Sequence, residues 1–222
     1  MNDSFFKDLF SGHASDYKQY RPGYPDDLFA FIAKQVIDHH AAWDCGTGNG
    51  QGAVKLAQYF DYVYATDPSA NQIKQADPHD KINYSVASAE HSGLADQSVS
   101  LITVCQAFHW FDTTRFLDEI KRVLQPQGVI AVLGYNTAQT GIKEVDDMYK
   151  LFCFDYLWRK NCWAKERAIL DDNYENIPFP FDEIAAPHFY IQMQWNYHDY
   201  LCYLNTWSPV KKFIQLYNKN PI

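Results

Sequence analysis

The sequence has no Lys/Arg-rich run, and its formal net charge is −8 over 222 residues. A surface that grips a phosphate backbone needs clustered cations, so nucleic acid is not the expected partner. No stretch approaches the ~20 apolar residues of a membrane span. The opening MNDSFFKDLFSGHAS also lacks the basic start and long apolar run of a secretory signal. These absences predict a cytoplasmic protein with no membrane partner. Cysteine is sparse. The five (Cys45, Cys105, Cys153, Cys162, Cys202) are an odd number without C-x-x-C spacing, which argues against both a disulfide framework and a zinc site. His13, His39, His40, His79, His91, His188 and His198 show no metal spacing either, and no metal is expected. Aromatic residues, by contrast, are plentiful at 17%, with many of them between Tyr149 and Trp207.

The length suits one domain with a substantial core. From residue 25 to about 134, helix and strand patterns alternate. Residues 26–37 carry Leu28, Ile32 and Val36 on one face, with Asp26 and Asp27 in the first turn, where the helix dipole favours acids. Strands are expected at 41–45, 62–66, 82–86, 99–105 and 128–133, with helices at 53–59, 69–76 and 113–124 between them. Strands alternating with helices predict a parallel, doubly wound sheet covered on both faces, a three-layer α/β sandwich with right-handed crossovers. Beyond residue 136 the pattern changes. Residues 142–170 look helical, 176–187 form a proline-bearing loop, 189–195 look strand-like, and 197–217 look helical again. A single domain is therefore expected, with an N-terminal cover (1–24), a cofactor-binding core (25–136), and a cap and C-terminal segment (137–222).

The first strand runs into Gly46-Thr47-Gly48-Asn49-Gly50-Gln51-Gly52. Glycines at such a turn let a ligand approach the backbone, because no Cβ intervenes, and the helix beyond offers free N–H groups. About 20 residues on, Asp67 ends the second strand, where a carboxylate can accept from both hydroxyls of a ribose. Together these features mark a nucleoside-containing cofactor at the carboxyl edge of the sheet. Gly48-Asn49-Gly50-Gln51-Gly52-Ala53 also fits G-x-G-x-x-A, so a nicotinamide or flavin dinucleotide stays open on the glycines alone.

Asp44 precedes the glycines, giving Asp44-x-Gly46-x-Gly48-x-Gly50, which resembles the first motif of class I S-adenosylmethionine-dependent methyltransferases; dinucleotide folds place apolar residues there. Phe10-x-x-x-Ala14 and Tyr17-x-x-Tyr20-Arg21-Pro22-x-Tyr24-Pro25 resemble the N-terminal cover of a small-molecule subgroup that includes trans-aconitate methyltransferases. Ser88-Ala89-Glu90 and Leu94-Ala95-Asp96-x-Ser98-Val99 are similar to the turn beside the adenine. Gln106-Ala107-Phe108-His109-Trp110-Phe111 is similar to that subgroup's stretch after strand four, and Lys121-Arg122-Val123-Leu124-x-Pro126-x-Gly128 to the turn before strand five. The likeness covers about residues 5–136, with an echo at Thr206-Trp207-Ser208.

The resemblance implies a Rossmann-like methyltransferase fold with a helical cap, S-adenosylmethionine as cofactor, and methylation of a small molecule, at an oxygen of a carboxylate or hydroxyl. Gly46, Gly48 and Gly50 would approach the methionine and ribose portions, and Asp67 would hold the ribose. Pro68, Ser88, Ala89 and Glu90 would frame the adenine, with Gln106 at the end of strand four. Asp44 would orient the loop or the cofactor's ammonium group, and Tyr17, Tyr20 and Arg21 would fold over the methionine end. His109 is the candidate base, substrate contact or packing residue, with Arg115, Arg159 and Arg167 as cationic partners for a carboxylate substrate. Two departures stand out. Ser100 occupies a place where many relatives carry aspartate, and the family's final antiparallel strand has no evident counterpart before Ile222. A non-catalytic S-adenosylmethionine-binding protein and a dinucleotide-dependent oxidoreductase are the alternative readings.

Overall fold

The computed structural model describes residues 20–222, which fall into two compact units. One holds residues 22–134 and 177–192; the other holds 20–21, 135–176 and 193–222.

The first unit is the expected α/β core. Helix α1 (Asp26–Lys34) buries Leu28, Phe29, Ile32 and Ala33. It stops three residues short of the predicted Ile37. Its last turn tightens into three-residue bonds, Gln35 N–H to Ile32 O and Val36 N–H to Ala33 O, and the His39 ring nitrogen lies 3.0 Å from Ala33 O. Next come β1 (Ala41–Cys45), α2 (Gln51–Leu56), β2 (Tyr62–Asp67), α3 (Ala70–Lys74), β3 (Ile82–Val86), β4 (Val99–Cys105), α4 (Thr113–Val123) and β5 (Leu124–Leu133). The strands form one sheet in the order β3-β2-β1-β4-β5, and every pair is parallel. The chain reverses its direction of travel between β1 and β4, and in open α/β sheets ligands bind at that switch point.

β1 is buried along its whole length. Ala42 packs with α1 and α2 in a cluster that includes Leu56, Phe60 and Val63. Trp43 points the other way onto Phe116 of α4, ring centroids 6.1 Å apart, and its indole N–H donates to Thr66 Oγ1 at 2.9 Å. A strand buried on both faces cannot alternate apolar with polar, which explains the continuous pattern of this segment. β5 begins at Leu124 rather than Gly128, across a register irregularity opposite Val99–Leu101. Gln127 takes a left-handed φ of 63° there, and as an edge strand β5 tolerates Pro126.

Residues 189–195 form no strand. Its first residue is anchored by a side chain instead, Phe189 on Phe31 (5.6 Å), and upstream of it Phe179 packs on Phe108 (5.5 Å). Exposed residues at 192–194 interrupt the alternation that a half-buried strand requires. Among the described residues the sheet therefore has five strands and no antiparallel member.

In the second unit, α5 (Lys143–Lys150) continues into a wide π-helical stretch (Leu151–Tyr156) and α6 (Leu157–Arg159). The expected helix to 170 is interrupted at Asn161, whose left-handed φ of 53° lets Cys162 N–H close back onto Leu157 O, a C-terminal stop that asparagine accepts at small steric cost. A short 3₁₀ turn (Lys165–Arg167) and α7 (Ala168–Asp171) follow. The helix expected over 197–217 is split into α8 (Tyr197–Asn205) and α9 (Ser208–Tyr217), with Pro209 in the first turn of α9, where its missing N–H costs nothing. Tyr149, Cys153, Leu157, Tyr203, Trp207 and Phe213 form this unit's core. No helix among the described residues is long and apolar enough to cross a membrane.

Candidate active site

The glycine turn is built on Asp44. Its side chain is fully buried; Oδ2 accepts from the Thr47 hydroxyl at 2.6 Å and Oδ1 from the Thr103 hydroxyl at 2.7 Å. Burial pushes its carboxyl above the ordinary range, against the opposing pull of Thr47, Thr103 and the Ala53 backbone N–H. One carboxylate thus ties together β1, the turn after it, the start of α2 and β4. These partners fit the first of its two expected roles, orienting the loop. Gly52 explains how α2 comes so close: a Cβ there would stand 2.9 Å from Asp44 Oδ2 and 3.1 Å from Cys105 Sγ.

The remaining glycines serve different needs. Gly46, at φ +68°, lies where a Cβ would meet Ala107 Cβ at 2.7 Å, so it admits the chain leaving β4. Gly50, at φ +88°, is the N-cap of α2, and a Cβ on it would strike the Tyr84 hydroxyl at 2.5 Å. A Cβ on Gly48 would have Gln72 Oε1, 4.0 Å away, as its one neighbour within 4 Å among the described residues.

Asp67 links this loop to β2. Its Oδ2 accepts the Gly48 N–H at 2.9 Å, and Oδ1 accepts the Ser69 N–H at 2.8 Å. Ser69 in turn caps α3, accepting from Gln72 N–H. The carboxylate is therefore both a cap and a clamp on the glycine turn. It retains lone pairs, since each oxygen can accept more than one bond. Pro68 follows it, half-buried at the same strand end.

Past the end of β3, on the same side of the switch point as Asp67, Ala89 is buried and Ser88 pairs with His91 in a one-residue bridge. Glu90 Oε1 accepts the Asp112 N–H at 2.9 Å, just before α4. Gln106 leaves β4 with a left-handed φ of 56°, its N–H bonded to Leu133 O at 2.7 Å. A non-glycine residue held in that region is strained, and strain of this kind gathers at functional sites. His109 lies in a 3₁₀ turn (Phe108–Trp110), buried, with its ring 4.8 Å from that of Trp110.

Tyr20 and Arg21 belong to the second unit, and Tyr17 lies outside the described residues. Arg21 donates through Nε to Thr206 Oγ1 (2.9 Å), through Nη1 to the Tyr135 hydroxyl (3.2 Å) and through Nη2 to Thr206 O (3.3 Å). Its guanidinium also stands over the Tyr203 ring. The Thr206-Trp207-Ser208 echo thus contains a partner of Arg21. Of the other arginines, Arg167 lies over the Trp163 ring at 4.4 Å and pairs with Asp171, and Arg159 pairs with Asp155 on the surface.

Comparison with known proteins identifies this arrangement. The family described as a methyltransferase domain matches residues 43–132, which span the glycine turn, Asp67 and the turn after β4. A protein of Dictyostelium discoideum, provisionally named a methyltransferase, is 32% identical over 222 residues, covering 97% of this chain and 82% of its own length. The chain belongs to the S-adenosylmethionine-dependent methyltransferases. A structure from Anaeromyxobacter dehalogenans, provisionally assigned as a type II methyltransferase, is 37% identical. It superposes with a TM-score of 0.79 over 91% of this chain and 85% of its own. A methyltransferase structure from Methanococcus maripaludis, 19% identical with a TM-score of 0.54 over 84% of this chain and 92% of its own, shares the fold.

Within this methyltransferase, the sequence pattern did not reveal several residues that shape the site. Nothing in the sequence singles out Ser92 or Glu119, and Arg122 stands there as one residue of the turn before strand five. Glu119 is buried; its Oε1 accepts from Ser92 N–H and Oγ and from Arg122 Nη2, and its Oε2 from Arg122 Nε. Arg122 Nη1 also donates to Leu94 O and Asp96 Oδ1, both at 2.7 Å. Burial works to raise the Glu119 carboxyl, but the Arg122 and Ser92 hydrogen bonds prevail and hold it down at about 2. These bonds pin the Leu94–Ser98 turn to α4. Ser100 donates its hydroxyl to Asp38 O (2.5 Å) and Ala41 O (3.1 Å), closing the lead-in to β1. Asn49, Gln72 and Tyr84 were also unmarked. Asn49 Nδ2, Gln72 Oε1 and the Tyr84 hydroxyl are buried beside the glycine turn with no hydrogen-bond partner among the described residues. An orphaned buried polar atom is costly, and a polar ligand at the turn fits the residues present.

Proposed function

We propose that this chain binds S-adenosylmethionine at the glycine turn and transfers its methyl group to an oxygen, carboxylate or hydroxyl, of a small molecule. The carrying observation is the clamp of Asp67 on Gly48, which sets a carboxylate and an open glycine backbone side by side at the switch point of the sheet. The absence of any basic run and the net charge of −8 support a small acceptor over a nucleic acid. When bound, the cofactor supplies a methyl group already activated on a sulfonium. The chain then has to align the acceptor and exclude water. In this reading Asp67 takes the ribose, Ala89, Glu90 and Pro68 frame the adenine, Ser88 and Gln106 border them, and Asp44 holds the loop in shape.

His109 lies just past β4, beside Trp110, where it can take the proton of a hydroxyl acceptor. A carboxylate acceptor is ionised at neutral pH and needs no base. Calorimetric titration with S-adenosylmethionine, S-adenosylhomocysteine and NAD tests the first step. Binding of the first two without the third supports the reading, and selective NAD binding sinks it. Transfer of a labelled methyl group to a panel of carboxylic acids and alcohols tests the second. Base-labile product supports a methyl ester, and labelling confined to protein or nucleic acid refutes the small-molecule assignment. His109→Gln separates the two acceptor types. Turnover falls by about a hundredfold or more with a hydroxyl acceptor and changes little with a carboxylate.

A further inference from the structure

Gln72 stands in the first turn of α3, 5% exposed, and its Oε1 is one of the three unpartnered polar atoms beside the glycine turn. Its backbone is fixed through the Asp67 network, because Gln72 N–H donates to Ser69 Oγ and Ser69 N–H donates to Asp67. Its side-chain oxygen faces the vacant Cβ position of Gly48 from 4.0 Å. Gly48 is the residue whose N–H Asp67 holds. One loop residue is therefore flanked by two acceptors: a carboxylate whose oxygens each already receive a backbone N–H, and a buried amide oxygen that receives no hydrogen bond from the described residues.

A ribose offers two neighbouring hydroxyl donors, and a buried acceptor gains most from a donor that replaces water it has already lost. We propose that Gln72 accepts a hydrogen bond from one ribose hydroxyl of the bound cofactor, sharing with Asp67 the recognition of the sugar. The inference rests on the reading that the glycine turn binds S-adenosylmethionine, and it adds a specificity-determining residue to that site. Gln72 supplies a neutral acceptor, so the sugar is recognised without a second negative charge beside Asp67. It also follows that a nucleoside lacking the matching hydroxyl is discriminated against by the orphaned amide oxygen, and not by Asp67 alone.

The test is a cycle of ligand and protein changes read by calorimetry. Wild type and Gln72→Met are titrated with S-adenosylhomocysteine and with its 2′-deoxy and 3′-deoxy analogues. Methionine preserves the length and volume of the side chain and removes the acceptor. The expected result is an affinity for S-adenosylhomocysteine about tenfold lower in the variant. One of the two deoxy analogues, already about tenfold weaker on wild type, should bind wild type and variant alike. Gln72→Asn, which keeps the amide but withdraws it by one methylene, should behave as Gln72→Met does, so the test survives if either variant fails to fold. Equal weakening of all three ligands, or weakening of none, overturns the role of Gln72 while leaving the cofactor assignment standing. Failure of wild type to bind S-adenosylhomocysteine removes the cofactor reading itself, and this inference with it.

Discussion

Asp44 and Glu119 are both buried carboxylates of the first unit, and each holds a turn, Asp44 the one that follows β1 and Glu119 the one that leads into β4, yet their surroundings push them in opposite directions. Asp44 is held by two hydroxyls and a backbone N–H, and burial lifts its carboxyl above the ordinary range. Glu119 faces the Arg122 guanidinium across two hydrogen bonds, and its carboxyl sits at about 2. Neutral donors satisfy a carboxylate without cancelling its desolvation, whereas a cation does both. Among the described residues, the partners of the acid that supports the glycine turn thus carry no opposing charge. On the proposed reading, a cation there would stand close to the positively charged sulfonium of the cofactor.

The contrast can be broken most forcefully at Asp44. Asp44→Ala strands the Thr47 and Thr103 hydroxyls and the Ala53 N–H, and a loss of about 4 kcal/mol in urea unfolding is expected, with cofactor binding abolished. Arg122→Met should cost about 2 kcal/mol at neutral pH, less than for a fully buried pair because the arginine is one-third exposed. This loss has a pH signature. The Glu119 carboxyl is depressed in the folded state, so its contribution is present above 4.5 and is lost as the pH falls towards 2. The gap between wild type and Arg122→Met should narrow over that window. Asp44→Asn should show the reverse sign. Burial favours the protonated form of Asp44, so wild type gains on this variant as the pH falls through the raised value; a gap that shrank instead would refute the assigned direction.

Smaller changes sharpen the comparison. Gly52→Ala places a methyl group against both Asp44 oxygens and should cost about 1–2 kcal/mol in the same unfolding assay. The smallest effect, about 1 kcal/mol, is expected for Ser92→Ala, which removes one of the donors to Glu119 but leaves Arg122 in place. A Ser92→Ala cost equal to that of Arg122→Met would mean that the cation is not what holds Glu119.

The strand pattern and the two acidic landmarks were legible before any coordinates, for physical reasons. β1 and β4 fall at the expected bounds because a doubly covered strand demands a nearly unbroken apolar run, and Asp44 and Asp67 stand out as charges near the ends of strands; β3, at the edge and more exposed, also falls at its expected bounds. Tyr84 was not legible. In sequence it is an ordinary strand aromatic, and it reaches Gly50 across the small Ala65, its register partner on β2. Gln72 looks like any polar residue of a short helix until the fold turns it against Gly48. Arg122 was hidden for the same reason, since Leu94 and Asp96 lie 28 and 26 residues away in the chain. The breaks at Asn161 and Thr206–Trp207 were masked by apolar spacing that continues across them, and residues 189–195 suggested a strand because periodicity cannot tell backbone pairing from side-chain anchoring.

The central pairing of the sheet also carries a consequence for how the protein is made. β1 lies beside β4, and the bond from Thr103 to Asp44 joins residues 59 positions apart. Contacts that distant close late, because the chain between them must be ordered first. During synthesis β1 and its glycines leave the ribosome well before β4 exists, so Asp44 waits without one of its donors. The glycine turn is set when Thr103 arrives. The nascent chain therefore has no finished glycine turn until β4 has been made.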